Sequence, residues 1–451
     1  MNITPLHQWI ANRIQVSGGK YTRHSLQNWQ LERLQKMIAY TSINSPFYCG
    51  LFAGLPNIRS LDDLASYPFT NADDLSDNPA AFVCVSQEEV HRIVTLPTSG
   101  TTRNPKRLYF SQEDQELTVD FFRVGMSTLA RTADRVLILL PGERPGSVGD
   151  LLHTGLTRLG CSPYKYGPVD DEDRVLQLIR EEGINVMVGA PVHLYRLACC
   201  DELHRILPKG QVRTLLVSTD VLPRVIATRL TDIWGCEVFD HYGMTETGLG
   251  GGVECSAHNG YHMREADLYL EVIDPETGEV LCDGEEGEVV ISTLTRNAML
   301  LIRYRTGDIS CVIPGICGCG SFIKRLAPIK RRWGSGIQIG NAVLYQDELD
   351  EALFQVRGVC DFKTFLRSNK HGTPILTIAL RMMGECLRDV QSNVQGAVSC
   401  IPGIDLLIQN GELLVEITQM DTATASQATA FAKRKIVDQR TDGRDGAQAS
   451  R

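Results

Sequence analysis

Between residues 135 and 242 short apolar runs alternate with segments of helical period, and a parallel sheet covered by helices satisfies that pattern best. RVLILL (135–140) is a short buried strand stopped by Pro141-Gly142, and a helix is expected from about 149 to 159. DEDRVLQLIREEG (171–183) begins on acids and ends on glycine, as the helix dipole and a left-handed C-terminal cap favour. The strand VMVG (186–189), the helix APVHLYRLACCDELHRIL, the strand TLLVST (214–219), the helix PRVIATRLTDIWG and the strand CEVFDHYG follow in turn. Strands separated by helices are joined by crossovers and lie parallel.

The character changes near Gly250. YLEVIDPETGEVL (269–281) reads as two strands joined by a Pro/Gly turn, and EGEVVISTL as a third. This predicts an antiparallel, barrel-like section. A basic stretch, 324–332, then leads into a small region of mixed pattern. The expected fold is α/β. A large N-terminal domain, 1–330, combines parallel-type sheets and helices with the antiparallel section. A hinge joins it to a small mobile α+β C-terminal domain, 331–440, and the polar, glycine-rich tail, 441–451, is expected to be disordered.

A net charge of −9 excludes a nucleic-acid binder, which needs a basic surface. No window approaches the roughly 18 apolar residues of a membrane span. MNITPLHQWIANRI lacks a basic region followed by an apolar one, so a cytoplasmic protein is expected. In that compartment 14 cysteines read as buried thiols, metal ligands or reactive groups.

Three segments carry chemistry. In TLPTSGTTRNPKRLYF (95–110) hydroxyl side chains crowd around one glycine, and a lysine closes the run. Such a loop is a phosphate cradle or a polar surface loop, and it is no Walker sequence. DHYGMTETG (240–248) follows a strand, the usual place for a ligand loop. There Tyr242 could stack on a base, Thr245 could reach a phosphate and Glu246 could hold Mg²⁺; the alternative is a turn with a satisfied carboxylate. In IRYRTGD (302–308) Asp308 could accept both hydroxyls of a ribose, or simply pair with an arginine in a turn.

Together and in this order these segments resemble the adenylate-forming superfamily of acyl-CoA synthetases, luciferases and peptide-synthetase adenylation domains. The chain is most similar to phenylacetate–CoA ligases. INSPFYCGLF (43–52), RSLDDLASYPFTNADDL (59–75), DPETGEVLCDGEEGEVVISTLT, NAMLLIRYRTGDI (297–309) and DELDEAL (347–353) extend the likeness along nearly the whole chain. The resemblance implies an AMP-forming acid–thiol ligase. ATP and a small carboxylic acid, aromatic or otherwise, give an acyl-adenylate, and coenzyme A or a carrier-protein thiol then takes the acyl group. It also implies roles. Thr98, Ser99, Gly100, Thr101, Thr102 and Lys106 hold the triphosphate. Tyr242 and Gly243 contact adenine, Thr245 touches the α-phosphate, Glu246 binds Mg²⁺ and Asp308 holds the ribose. Arg325 matches a basic residue that follows the ribose aspartate. His241 and the segment containing Gly189, Ala190 and Pro191 line the acyl pocket.

Some phenylacetate–CoA ligase relatives also carry a Cys…His…CxC set. Here Cys255, His262, Cys317 and Cys319 match it, with His258 in reserve. Three thiolates and an imidazole make a closed structural zinc site; reduced thiols without metal are the alternative.

Three departures stand out. Arg103 replaces a glycine of the cradle. The hinge stretch RRWGS (331–335) keeps Arg332 but has Gly334 and Ser335 where relatives carry acids. In TAFAKRKIVDQR (429–440) Ala432 stands where relatives have the catalytic lysine, and Lys433 follows one residue late. In extended chain such a shift points the side chain to the opposite face. Lys433 remains the candidate bridge between carboxylate and α-phosphate through local slippage of the chain; slow adenylation, or a non-catalytic nucleotide-binding relative, is the alternative. No feature of the sequence sets an oligomeric state.

Overall fold

The computed structural model describes residues 2–15, 21–96, 105–200, 203–384, 387–420 and 433–440. The cradle residues Thr98, Ser99, Gly100, Thr101 and Thr102, Arg103, Ala432 and the 441–451 tail lie outside them. The chain packs as two compact units, Met1–Gly167 with Phe239–Trp333, and Pro168–Val238 with Gly334–Arg451.

In the first unit the strand Arg135–Ile138 lies parallel to Ser162–Lys165, with the helix Val148–Leu159 as crossover. Gly160 ends that helix in the left-handed region at φ +86, which glycine adopts without strain. The helix Gln112–Met126 opens on a capping box of Ser111 and Asp114. The Asp114 carboxylate also accepts from the backbone N–H groups of Asn297 and Ala298 at 2.9 and 3.1 Å. One acid thus joins the helix start to the chain entering the IRYRTGD strand.

The antiparallel section is a four-stranded sheet of Leu268–Ile273, Gly287–Thr293, Tyr304–Ser310 and Arg331–Arg332. The second strand expected within 269–281 is reduced to a single bridge between Ile273 and Val280. Asp274 closes the turn by accepting from the N–H groups of Glu276 and Thr277, both at 2.8 Å. The return is held by Asp274 N–H donating to the Glu279 carbonyl at 2.9 Å and Leu281 N–H to the Val272 carbonyl at 2.8 Å, and residues 282–286 beyond it are exposed. Gly287 begins the next strand instead, where a Cβ would lie 2.2 Å from the Ile273 carbonyl oxygen. A second antiparallel series runs from the strand Glu237–Tyr242 through Gly252–Val253 and Tyr261–Met263 to Arg325–Leu326 and Val312–Ile313.

In the second unit Val186–Gly189 lies parallel to Thr214–Val217. The single helix expected after Val186–Gly189 is two, Pro191–Cys199 and Leu203–Ile206, because the backbone at Cys200 turns extended. The C-terminal segment forms a sheet in the order Leu414–Gln419, Pro374–Met382, Val359–Ser368, Ile436–Asp438. Gly334 has φ +69 and open space where a Cβ would be, whereas a Cβ on Gly336 would fall 2.3 Å from Val343 Cγ1. No helix among the described residues is long and apolar enough to cross a membrane.

Arg434 holds the last strand in place. Its Nε donates to Asp350 at 3.0 Å, its Nη1 to Asp361 at 2.8 Å, and its backbone N–H to Asp220 at 3.1 Å. The guanidinium lies 4.3 Å from the Phe362 ring centre. Three aspartates from three parts of the unit converge on one residue, so its removal leaves acids without their cation. Arg434→Leu is expected to lower unfolding stability by about 3–5 kcal/mol, read as a drop in the urea midpoint of the C-terminal sheet.

Candidate active site

The loop after Glu237–Tyr242 turns through a short 3₁₀ segment, Thr245–Thr247, and buries Glu246. Two arginines the sequence reading did not single out hold that loop from beneath. Arg296 Nη1 donates to the Glu246 carbonyl at 2.9 Å, and Arg264 donates to the carbonyl of Thr247. Both are buried, lying over the rings of Phe110 and Phe121 respectively. Burial pushes the Arg264 guanidinium down to about 10. Thr118 Oγ1 adds a third hold, donating to the Gly248 carbonyl at 2.9 Å. No periodicity marks Arg264 or Arg296, because their partners are main-chain carbonyls distant in sequence.

The Glu246 side chain meets Lys106. The Lys106 Nζ to Glu246 Oε1 distance is 2.5 Å, and the Tyr304 hydroxyl donates to the same oxygen at 3.2 Å. Burial alone would raise the Glu246 carboxyl, but the Lys106 ammonium outweighs it and holds the group below the ordinary carboxylate range. Tyr304 opens the motif whose last residue is Asp308. The signal that could have found it is strand alternation, which places Tyr304, Thr306 and Asp308 on one face.

Asp308 lies on the same strand and is also buried. Its Oδ2 accepts from the Tyr242 hydroxyl at 3.0 Å, and Arg332 Nε stands 3.3 Å from Oδ1. Arg332 further donates to the Thr306 carbonyl, and its charge acts on Tyr242, Glu246 and Tyr304. Lys106, Tyr242, Glu246, Tyr304, Asp308 and Arg332 therefore form one electrostatic group of two carboxylates, two cations and two tyrosine hydroxyls. Gly243 follows directly, where a Cβ would fall 2.5 Å from the Leu249 carbonyl oxygen. Thr245 begins the 3₁₀ segment and is partly exposed. His241 lies between Phe121 and Phe122, with ring centres 6.3 Å from each, and burial pushes its imidazole down to about 4.

The other candidates sit elsewhere. Gly189 ends a buried strand, Ala190 caps the next helix and Pro191 is its first residue. Lys433 is exposed just before the Ile436–Asp438 strand. These four belong to the second unit. Arg325 is buried and pairs in register with His262; its guanidinium donates to the carbonyls of Asn259, Pro314 and Gly315.

Cys255, His262, Cys317 and Cys319 are all buried, with their ligand atoms within 4.8 Å of one another. Cys255 Sγ and Cys317 Sγ are 3.7 Å apart, and Cys319 Sγ is 3.5 Å from His262 Nε2. A tetrahedral ion with zinc–sulfur bonds of about 2.3 Å spaces two sulfurs by about 3.8 Å, so the donor set fits zinc in number, type and spacing. His258 turns away to Glu254, 3.4 Å distant, and to the Phe239 ring.

Replacing Lys106 tests the electrostatics of Glu246. Its native pKa is depressed, so its stabilisation is present above about pH 4.3, the unfolded value, and is lost as pH falls through the folded one. In Lys106→Met the largest opposing charge is gone and the pKa rises from its depressed native position, with Arg332 and the Tyr304 hydroxyl still acting against burial. The acid limb of the kcat/KM profile should then move to higher pH, and urea titrations should show the variant losing relative stability as pH rises towards neutrality.

The AMP-binding enzyme family model matches residues 59–298. The phenylacetate-coenzyme A ligase of Pseudomonas putida is 30% identical over 378 residues, which covers 80% of this chain and 83% of that protein. The enzyme of the same name from Aromatoleum evansii is 31% identical over 349 residues, 74% of this chain and 76% of its own. Among solved structures, 2-hydroxyisobutyryl-CoA ligase in its postadenylation state with 2-HIB-AMP superposes with a TM-score of 0.78 at 21% identity, covering 94% of this chain and 91% of that one, and supports the fold. The chain belongs to the AMP-binding enzyme family, on the branch of the phenylacetate–coenzyme A ligases and similar AMP-forming acid–CoA ligases.

Proposed function

We propose that the protein activates a small carboxylic acid with ATP as an acyl-adenylate and passes the acyl group to coenzyme A, as the names of its relatives indicate for them. The observation that carries this reading is the buried group around Glu246 and Asp308, placed at the end of a strand in a member of this family. In this reading Tyr242 and Gly243 face the adenine and Asp308 takes the ribose hydroxyls. Thr245 meets the α-phosphate, and Lys106, with Thr98, Ser99, Gly100, Thr101 and Thr102, neutralises the triphosphate. His241, Gly189, Ala190 and Pro191 shape the acid pocket.

Glu246 is the residue that would hold magnesium. It is a buried carboxylate whose present counter-charge is the Lys106 ammonium, and the ion would supply charge neutralisation on the phosphates. The chain's own part is positioning. Arg296 and Arg264 fix the loop, and Tyr304 fixes the carboxylate oxygen. Cys255, His262, Cys317 and Cys319 would hold a closed structural zinc ion, with no open position for water. The cysteine content fits a reducing, cytoplasmic compartment. The C-terminal segment, 331–440, would act as a mobile domain turning at Gly334. Lys433 would bridge the carboxylate and α-phosphate, its register set by Arg434.

Acid-dependent ATP–pyrophosphate exchange across aryl and short-chain acids tests the first half-reaction. Exchange with at least one acid is expected, followed by thioester formation on adding coenzyme A. Thioester formation only with a carrier protein would reassign the acceptor, and nucleotide binding without exchange would indicate a non-catalytic relative. Lys433→Ala should slow exchange roughly 10²–10³-fold, the loss typical of one positioned charge at a developing anion. Lys435→Ala should leave it near wild type. Metal analysis of the purified chain should find one zinc per molecule, lost in Cys317→Ser.

A further inference from the structure

The glycine run of GLGGGVE (248–254) has a packing purpose that points from the cysteine cluster towards the nucleotide. The strand Gly252–Val253 lies between Glu237–Tyr242 and Tyr261–Met263. A Cβ on Gly251 would come 3.1 Å from Tyr242 Cδ1, and one on Gly252 would come 3.0 Å from Tyr261 Cβ and 2.9 Å from the His262 carbonyl oxygen. Bare backbone here lets the rings of Tyr242 and Tyr261 come together across it. Their centres are 6.0 Å apart and their planes differ by 28°.

Each ring ends in a buried hydroxyl bonded to a buried acid. Tyr261 donates to Asp240 Oδ2 at 2.6 Å, and Asp240 Oδ1 accepts from the His241 backbone N–H at 2.8 Å. Tyr242 donates to Asp308. Asp240 also lies two residues before Tyr242 on its strand, so Tyr261 grips that strand through both a ring face and a hydrogen bond. Tyr261 itself precedes His262. The four cluster residues join the Tyr261–Met263 hairpin to the loop carrying Cys317 and Cys319, which restrains the far end of this chain of contacts.

We infer that Tyr261 is a positioning residue for the nucleotide: it transmits the restraint of the Cys255–His262–Cys317–Cys319 cluster, through Asp240 and the Tyr242 ring, to the hydroxyl that orients Asp308. This rests on the reading of Tyr242 and Asp308 as adenine and ribose contacts. It gives the metal cluster a purpose in substrate binding. Tyr261 touches no substrate, so its loss should affect nucleotide affinity and leave the chemical step intact.

The test is AMP binding to the full-length, metal-loaded protein by titration calorimetry, alongside kcat and KM for ATP and the bound-metal content. In Tyr261→Phe, AMP affinity should fall roughly 3- to 10-fold, the worth of one net hydrogen bond. KM for ATP should rise in step, while kcat at saturating ATP and metal content stay at wild-type values. In a Tyr242→Phe background the same change should add little, because the two act in series. Metal removal from the wild type should weaken AMP binding at least as much as Tyr261→Phe. Unchanged AMP affinity in Tyr261→Phe, a loss additive with Tyr242→Phe, or a loss accompanied by metal release would overturn the inference. Failure of the wild type itself to bind AMP would instead overturn the proposed function.

Discussion

A buried carboxylate is tolerable only where a cation and donors meet it, and the arrangement of the first unit follows from satisfying Glu246. Lys106 must arrive from the strand after the cradle, Tyr304 from the IRYRTGD strand, and the loop that carries Glu246 must be pinned. Arg296 and Arg264 do the pinning from below, which commits two further buried charges. The aromatic faces of Phe110 and Phe121 cover those guanidiniums. Removing any one of these partners would strand a charge, so the group is fixed as a set rather than residue by residue.

The same logic explains how much could be read in advance. Phosphate-loop composition, the TETG turn and the TGD motif are local in sequence, and Lys106, Glu246, Tyr242 and Asp308 were legible from them; the structure places these four within one electrostatic group. The cysteine–histidine set was named through the likeness to relatives that carry it, since C-x-C spacing alone says little in a chain with 14 cysteines, and the structure brings its four residues together. Arg264, Arg296 and Asp114 were not. They act on main-chain carbonyls or N–H groups supplied by other segments, and such partners leave no pattern of residue types. Among secondary elements, the alternating strands and helices were readable from period. The return arm of 269–281 is shorter than expected: the Asp-Pro-Glu-Thr-Gly turn forms, and Asp274 N–H to the Glu279 carbonyl and Leu281 N–H to the Val272 carbonyl pair the two arms around Val280, but the exposed residues 282–286 leave the ladder.

In the second unit the informative residue is again a buried arginine. Arg434 is flanked by Lys433 and Lys435, and nothing in a run of three basic residues says which of them turns inward. Asp350 and Asp361 decide it by accepting from the Arg434 guanidinium, and Asp220 adds a bond by accepting from the Arg434 backbone N–H. Once Arg434 is inside, its two neighbours face out, as their exposure shows. Arg434 fixes the chain just before the Ile436–Asp438 strand: moving it would pull a guanidinium from between two carboxylates and two aromatic rings.

Both units thus place the candidate site side chains on backbone whose neighbours are locked by buried charge or by close contact across glycine. The pairing of Tyr242 with Tyr261 over Gly251 and Gly252 is the extreme case, because those two residues have no side chains to adjust. A ring displaced at Tyr261 has no soft layer in which its movement can be absorbed before it reaches Tyr242. Stiffness of this kind suits adenylyl transfer, in which the protein forms no bond to phosphorus and contributes mainly by holding charges where the transition state will need them.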